Sequence, residues 1–146
     1  MSGSPTEPRR PAVADTGFLL AVMDRHSPQH SDSLRLYDKY PGEILVPSVV
    51  FAELTYMLQR AGGTALVVRS IRAIRDSQIS LIDLIDVDYE RALAILEKYS
   101  DTRIDFVDAS IMALAERLTV TRILTFDRRD FGLYQPTHAP HFDLLP

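Results

Sequence analysis

Short apolar runs alternate along this chain with longer amphipathic stretches. Residues 12–14 form an apolar run ending at Asp15, and an apolar stretch over 18–23 follows at once, which reads as strand, turn, helix. Residues 26–30 contain Pro28 and read as a turn. Residues 31–40 carry Leu34, Leu36 and Tyr37 and predict a helix that Pro41-Gly42 ends. Residues 44–46 predict a brief strand. Pro47-Ser48 then opens a helix, with a hydroxyl placed to cap it. That helix is expected to run to Arg60 and stop at Gly62-Gly63, and a further helix over 65–77 would complete a helical hairpin. Residues 79–82 predict a third strand. Asp86 is expected to cap a helix over 87–99, with Glu90 early and Lys98 late as the macrodipole favours. Asp105 opens a helix over 106–118. Residues 122–125 predict a fourth strand, 127–130 a polar turn, and 142–145 a short final strand.

Strands alternating with helices predict an α/β fold around a mostly parallel sheet. In open sheets of that kind, function gathers at the carboxyl ends of the strands. The chain has 146 residues, which predicts one domain, residues 12–146, behind a polar, proline-rich and disordered leader, residues 1–11. A domain of this size buries roughly 68–70% of its unfolded surface and needs no disulfide staple.

Cysteine is absent, which excludes thiol catalysis, cysteine-ligated metals and disulfide scaffolding, and fits a reducing cytoplasm. No run reaches the ~18 apolar residues of a membrane span. The formal net charge of −4 argues against non-specific gripping of long duplex DNA. A nucleic-acid substrate would have to be held locally, by a few basic side chains or through a metal.

Four carboxylates stand out, because they lie inside or at the end of apolar segments: Asp15, Glu53, Asp108 and Asp127. Buried acids are costly unless something pairs with them, and the same segments hold no matching set of lysines or histidines. Asp15 follows a strand and also suits a helix cap. Glu53 has Val49, Val50, Tyr56 and Met57 at helical spacing, which places it on a face expected to be buried. Asp108 shares its face with Ile111 and Met112. Asp105, three residues earlier, is the better cap, although it could itself reach the site. Asp127 follows a strand, and Asp130 lies further from the strand end. Crowded carboxylates cannot all ionise without a cation. Mg²⁺ or Mn²⁺, both oxygen-seeking, would resolve the conflict. Thr125 could offer a hydroxyl to water or phosphate, and Arg128 and Arg129 are candidate phosphate contacts.

Other features have plain explanations. Arg69, Arg72 and Arg75 form a stripe at helical spacing that reads as a solvated face. His138 and His141 read as surface residues in a proline-rich tail. His26 and His30 sit in a loop near the first acid. Asp83, Asp86 and Asp88 are accounted for by capping and solvation.

The ordered motifs D-T-G, P-S-V-V-F-A-E-L, D-A-S-I-M-A-L-A and T-F-D-R-R-D-F resemble the PIN-domain nucleases, and within them the VapC-type toxins of toxin–antitoxin pairs. The resemblance spans residues 12–131. It implies a three-layer α/β/α fold and a Mg²⁺- or Mn²⁺-dependent endoribonuclease acting on structured RNA such as tRNA, rRNA or mRNA. Asp15, Glu53, Asp108 and Asp127 match the family's acidic quartet. Thr16 matches the hydroxyl near the first acid, and Thr125 the threonine before the last. The region around Gly62-Gly63 matches one used for dimer or antitoxin contacts, so the resemblance implies a small antitoxin partner and a homodimer. The alternatives are a stand-alone RNA-processing protein of this fold and a non-catalytic interaction module. D-T-G is also a motif of aspartic proteases, but the helical patterns argue against an all-β protease.

Overall fold

β1 (Ala12–Ala14) is wholly buried and pairs in parallel with a strand on each side, Ala12 standing opposite both Ile44 and Arg122. Strands buried on both faces read as continuous apolar runs rather than alternating ones, as AVA here and ILVP in β2 (Ile44–Pro47) do. The computed structural model describes residues 10–146, so residues 1–9 of the expected leader lie outside the described residues.

After β1 come α1 (Thr16–Met23) and α2 (His30–Lys39), and then β2. α3 (Ser48–Arg75) leads to β3 (Ile79–Ile82), and α4 (Asp86–Lys98) and α5 (Phe106–Arg117) return the chain to β4 (Arg122–Leu124). α6 (Arg128–Leu133) precedes β5 (Asp143–Leu145). All pairings are parallel, in the order β3-β2-β1-β4-β5. The chain moves outward from β1 to β3, then crosses back to the other side of β1. Right-handed crossovers put connections of opposite direction on opposite faces, which gives the α/β/α layering that the motifs implied. The core lies between the layers and includes Phe18, Leu54, Ile111, Met112 and Ile123. Among the described residues, no helix is long and apolar enough to cross a membrane.

Three local expectations need correction. The predicted polar turn over 127–130 is instead the start of α6, because the Asp127 carboxylate accepts the Asp130 N–H at 3.0 Å and caps it. Asp86 does not cap α4. Ile85 stands at the cap position, and the Asp88 carboxylate accepts the Ile85 N–H at 2.9 Å. The break expected at Gly62-Gly63 is one residue wide, at Gly63 (φ 70°, ψ −171°), within an otherwise helical α3. That conformation is open to glycine alone. Gly63→Ala should therefore lower stability by about 1–3 kcal/mol. A denaturant melt with unchanged midpoint would show that the elbow relaxes at no cost.

The segment beyond Phe131, outside the motif match, is built into the fold. Tyr134 donates its hydroxyl to Glu116, which also accepts from Arg91 Nε at 2.8 Å and from the Thr137 N–H at 3.3 Å. His138 is half-buried with Nε2 2.7 Å from the Val120 carbonyl, so it is not the surface residue expected. Phe142 is buried, and β5 follows it onto the sheet edge.

Candidate active site

The order in which strands are added reverses between β1 and β4, and crevices at such switch points are where open α/β sheets bind ligands. Asp15 leaves β1 there and Asp127 leaves β4. Thr125 ties the two together: its hydroxyl donates to Asp15 Oδ2, and its oxygen accepts the Asp127 N–H at 2.9 Å. Asp15 also caps α1, with Oδ1 accepting the Phe18 N–H at 2.8 Å. One carboxylate thus serves as cap and as a buried charge.

Burial pushes the Asp15 carboxyl up to about 6, against the two hydrogen bonds and with the charges of Asp127 and Glu53 adding to the rise. Burial likewise pushes Asp108 up to about 8. The Asp105 N–H opposes the rise, and the Asp105 and Asp127 carboxylates reinforce it. Asp105 caps α5 as expected, its Oδ1 accepting the Asp108 N–H at 2.9 Å, and Asp108 Oδ2 accepts the Asp105 N–H at 3.2 Å. Asp127 is therefore felt by Asp15 from the β1 side and by Asp108 from the α5 side. Asp127 thus acts on both Asp15 and Asp108, Glu53 acts on Asp15, and Asp105 acts on Asp108.

Asp130 joins them, although its distance from the strand end had ranked it lower. It is 7% exposed, and burial followed by the charge and hydrogen bonding of Asp127 raises its pKa against Arg129 and Arg103. The missed signal was helical spacing: residues three apart share a face once α6 begins at Arg128.

Glu53 is not where its neighbours suggested. It is half-buried: of its expected core neighbours Val50 is buried and Val49 half-buried, but Tyr56 and Met57 are 63% and 36% exposed, so Glu53 sits at the edge of the core and not within it. The inward face of α3 is Val50, Leu54 and Leu58. Glu53 instead lines an open groove with Tyr56, Met57, Arg60 and Ala61.

Arg128 and Arg129 are both exposed, and Arg128 donates to the Pro146 carbonyl, which leaves Arg129 nearer the acids. His30 Nδ1 lies 2.8 Å from the Ala21 carbonyl, a role in the fold. Arg69, Arg72 and Arg75 are exposed, as a solvated stripe should be. Asp88, read as cap and solvated acid, is buried and ion-paired to Arg117 at 2.8 Å.

The donor set is all oxygen, which suits Mg²⁺ or Mn²⁺. Among the described residues, no three aspartate, glutamate or histidine side chains already form a metal-ligating group. Mg²⁺ keeps several waters and takes only one or two carboxylates directly, so an acidic cluster of this kind fits it without a closed cage. The Thr16 hydroxyl, next to Asp15 in the chain, is buried with no hydrogen-bond partner, and such an orphan calls for a ligand or water.

A PIN-domain family profile matches residues 12–134. The chain is 31% identical over 134 residues to ribonuclease VapC26 of Mycobacterium tuberculosis, covering 92% of this chain and 99% of the relative. Its fold is similar to that of M. tuberculosis VapC20, a sarcin–ricin loop cleaving toxin (TM-score 0.78, 20% identity, 88% of this chain and 98% of the other). It is also similar to a chain of a Klebsiella pneumoniae toxin–antitoxin complex (TM-score 0.68, 17% identity, 90% and 99% covered). With that profile match and that relative, and with Asp15 and Asp127 tied through Thr125 at the switch point of a parallel sheet, the chain belongs to the PIN-domain family, among the VapC-type ribonucleases of toxin–antitoxin systems.

Proposed function

We propose that this chain is the toxin of a VapBC-type pair and hydrolyses RNA phosphodiester bonds with Mg²⁺ or Mn²⁺ held by Asp15, Glu53, Asp108 and Asp127, Asp130 standing beside them. The observation that carries this reading is Thr125, whose side chain donates to Asp15 and accepts the Asp127 N–H, so that acids from the ends of β1 and β4 stand together, with Asp108 near enough to sense Asp127. Such a cluster favours a cation strongly. When bound, a divalent cation supplies Lewis-acid stabilisation of the charge that develops on a phosphodiester under attack. The chain's own residues do the placing. Thr125 orients Asp15, Asp105 orients Asp108, and the cap of α6 orients Asp127. Arg129 is the basic side chain that meets substrate phosphate, and Arg128 supports it.

Residues 12–146 act as one unit in the cytoplasm. An antitoxin covers the groove beside Glu53, where Tyr56 and Met57 offer apolar contact. A second copy packs on another exposed apolar surface, where Ile85, Tyr89 and Leu93 share a face of α4 and Tyr89 stacks on Phe106; exposed patches of large apolar residues mark association sites.

The deciding experiment incubates the purified chain with total RNA in Mg²⁺, in Mn²⁺ or in EDTA. Cleavage is expected with either metal and none with EDTA. Equal cleavage in EDTA would remove the metal mechanism.

A further inference from the structure

α1 and α3 run side by side away from the acidic centre. Asp15 and Glu53 lie at one end; at the other, the loop after α1 meets the elbow of α3. α1 has 8 residues, about 12 Å of rise. At that far end Arg25, His26 and Arg69 line a second cleft, together with Asp24 and Leu66. Ala61 borders both this cleft and the groove that holds Glu53, so the two adjoin at that residue. Arg60, beside Ala61 in the chain, lines the Glu53 groove, its guanidinium 6.0 Å from the Tyr56 ring centroid.

The cleft is held in shape by local structure. The Asp24 carboxylate accepts the His26 N–H at 3.0 Å, which turns the loop. The elbow packs tightly: a Cβ on Gly62 would lie 2.9 Å from Leu66 Cβ. The ion pairs formed among the described residues are Arg35–Asp32, Arg91–Glu116, Arg117–Asp88 and His141–Asp143, so Arg25, Arg60 and Arg69 carry charge that no carboxylate neutralises at ion-pair distance. In a chain of net charge −4, whose centre is a knot of acids, unpaired arginines along a trench leading from that centre have an electrostatic use. A polyanion is repelled at the acids and must be held elsewhere. Arginine forks match phosphate oxygens at two points.

We propose that the Arg25–His26–Arg69 cleft is a phosphate-binding subsite for single-stranded RNA, holding a backbone phosphate a few nucleotides from the bond cleaved at the acidic centre. This rests on the ribonuclease reading above. The strand enters along the trench, passes Arg60 and the exposed Tyr56 ring, and reaches Glu53. Exposed aromatics beside basic side chains are the usual means of holding unpaired bases. Arg69, one of a stripe that spacing alone assigns to solvent, differs from Arg72 and Arg75 in facing this cleft.

The test measures binding and cleavage separately. Fluorescein-labelled, mixed-sequence single-stranded RNA is titrated by anisotropy against the Asp15→Asn protein over a range of salt. The same titration is repeated with Arg25→Glu/Arg69→Glu added, and with Arg25→Lys/Arg69→Lys added. Charge reversal should weaken binding roughly tenfold and flatten the salt slope by about 1–2, whereas the lysine pair keeps most of both. In the cleaving chain, reversal should raise KM far more than it lowers kcat. Unchanged affinity and slope on reversal would overturn the subsite. So would unchanged RNA affinity with lost binding of a poly-glutamate peptide, which would make the cleft a contact for an acidic protein segment. If reversal unfolds the chain by circular dichroism, Arg25→Gln/Arg69→Gln carries the same test. Failure of the unaltered chain to cleave RNA would strike the ribonuclease reading and leave the binding result standing on its own.

Discussion

Asp15→Asn is expected to abolish RNA cleavage and, at the same time, to make the metal-free protein more stable. Loss of activity should be on the order of a thousandfold or more, because the residue belongs to a group that acts as a unit. The gain in stability follows from linkage. The Asp15 carboxyl is raised from 3.8 to about 6 on folding. Between those values the folded chain binds more protons than the unfolded chain, so stability falls as pH rises. The favourable contribution is complete below pH 3.8 and lost as pH passes about 6. Asp108, raised to about 8, prolongs the decline to that pH. Glu116 is shifted the opposite way, its hydrogen bonds and Arg91 outweighing the effect of burial, and it is common to both proteins. The difference between them therefore isolates Asp15. Asparagine keeps an acceptor for the Phe18 N–H and carries no charge. At pH 8 in EDTA the variant should be about 1–3 kcal/mol more stable than the unaltered chain. At pH 4 the two should nearly coincide. Adding Mg²⁺ should stabilise the unaltered chain and not the variant, since a ligand stabilises only the state that binds it. Thermal melts at the two pH values, with and without metal, read all of this. A variant that is less stable at pH 8, or that still cleaves, would remove Asp15 from the centre of the site.

The second large effect lies away from the acids. Asp88 is 1% exposed, and its carboxylate accepts both Arg117 Nε at 2.8 Å and the Ile85 N–H at 2.9 Å. It thereby joins the start of α4 to the end of α5. Asp88→Ala removes a helix cap and leaves Arg117 without its partner. Breaking a buried pair from one side costs about 3–5 kcal/mol, and the partial exposure of Arg117 favours the lower end. The melting midpoint should fall by roughly 6–12 °C, with kcat at a permissive temperature unaltered. Arg117→Ala should cost at least as much, because it leaves the almost fully buried Asp88 carboxylate with one N–H and no counter-charge. A double-mutant cycle returning no coupling would show that the pair contributes nothing beyond its separate hydrogen bonds.

These two aspartates show where reading the chain succeeds. Asp15 was conspicuous because an acid at the end of an apolar run has few explanations. Asp88 was not, because it sits among Asp83, Asp86 and Glu90, and a polar neighbourhood in sequence conceals a buried position in space. Glu53 erred in the other direction. Its apolar neighbours at helical spacing suggested the core, yet Tyr56 and Met57 face a groove. A helix with apolar residues on two faces does not say which face is covered.

What the sequence by itself determined was local. The strand–helix alternation, the Asp105 cap, the place of a glycine elbow in α3 (though not its one-residue width) and the ordered acids follow from spacing, propensity and the chemistry of neighbouring residues. Only the tertiary structure decided that Asp127 acts on both Asp15 and Asp108, that α6 sets Asp130 beside Asp127, and that the segment beyond Phe131 adds the edge strand. The physical reason is that burial and electrostatic coupling depend on which surfaces meet across a parallel sheet. Those meetings join residues a hundred positions apart, as Thr125 joins Asp15, and no short-range pattern records them.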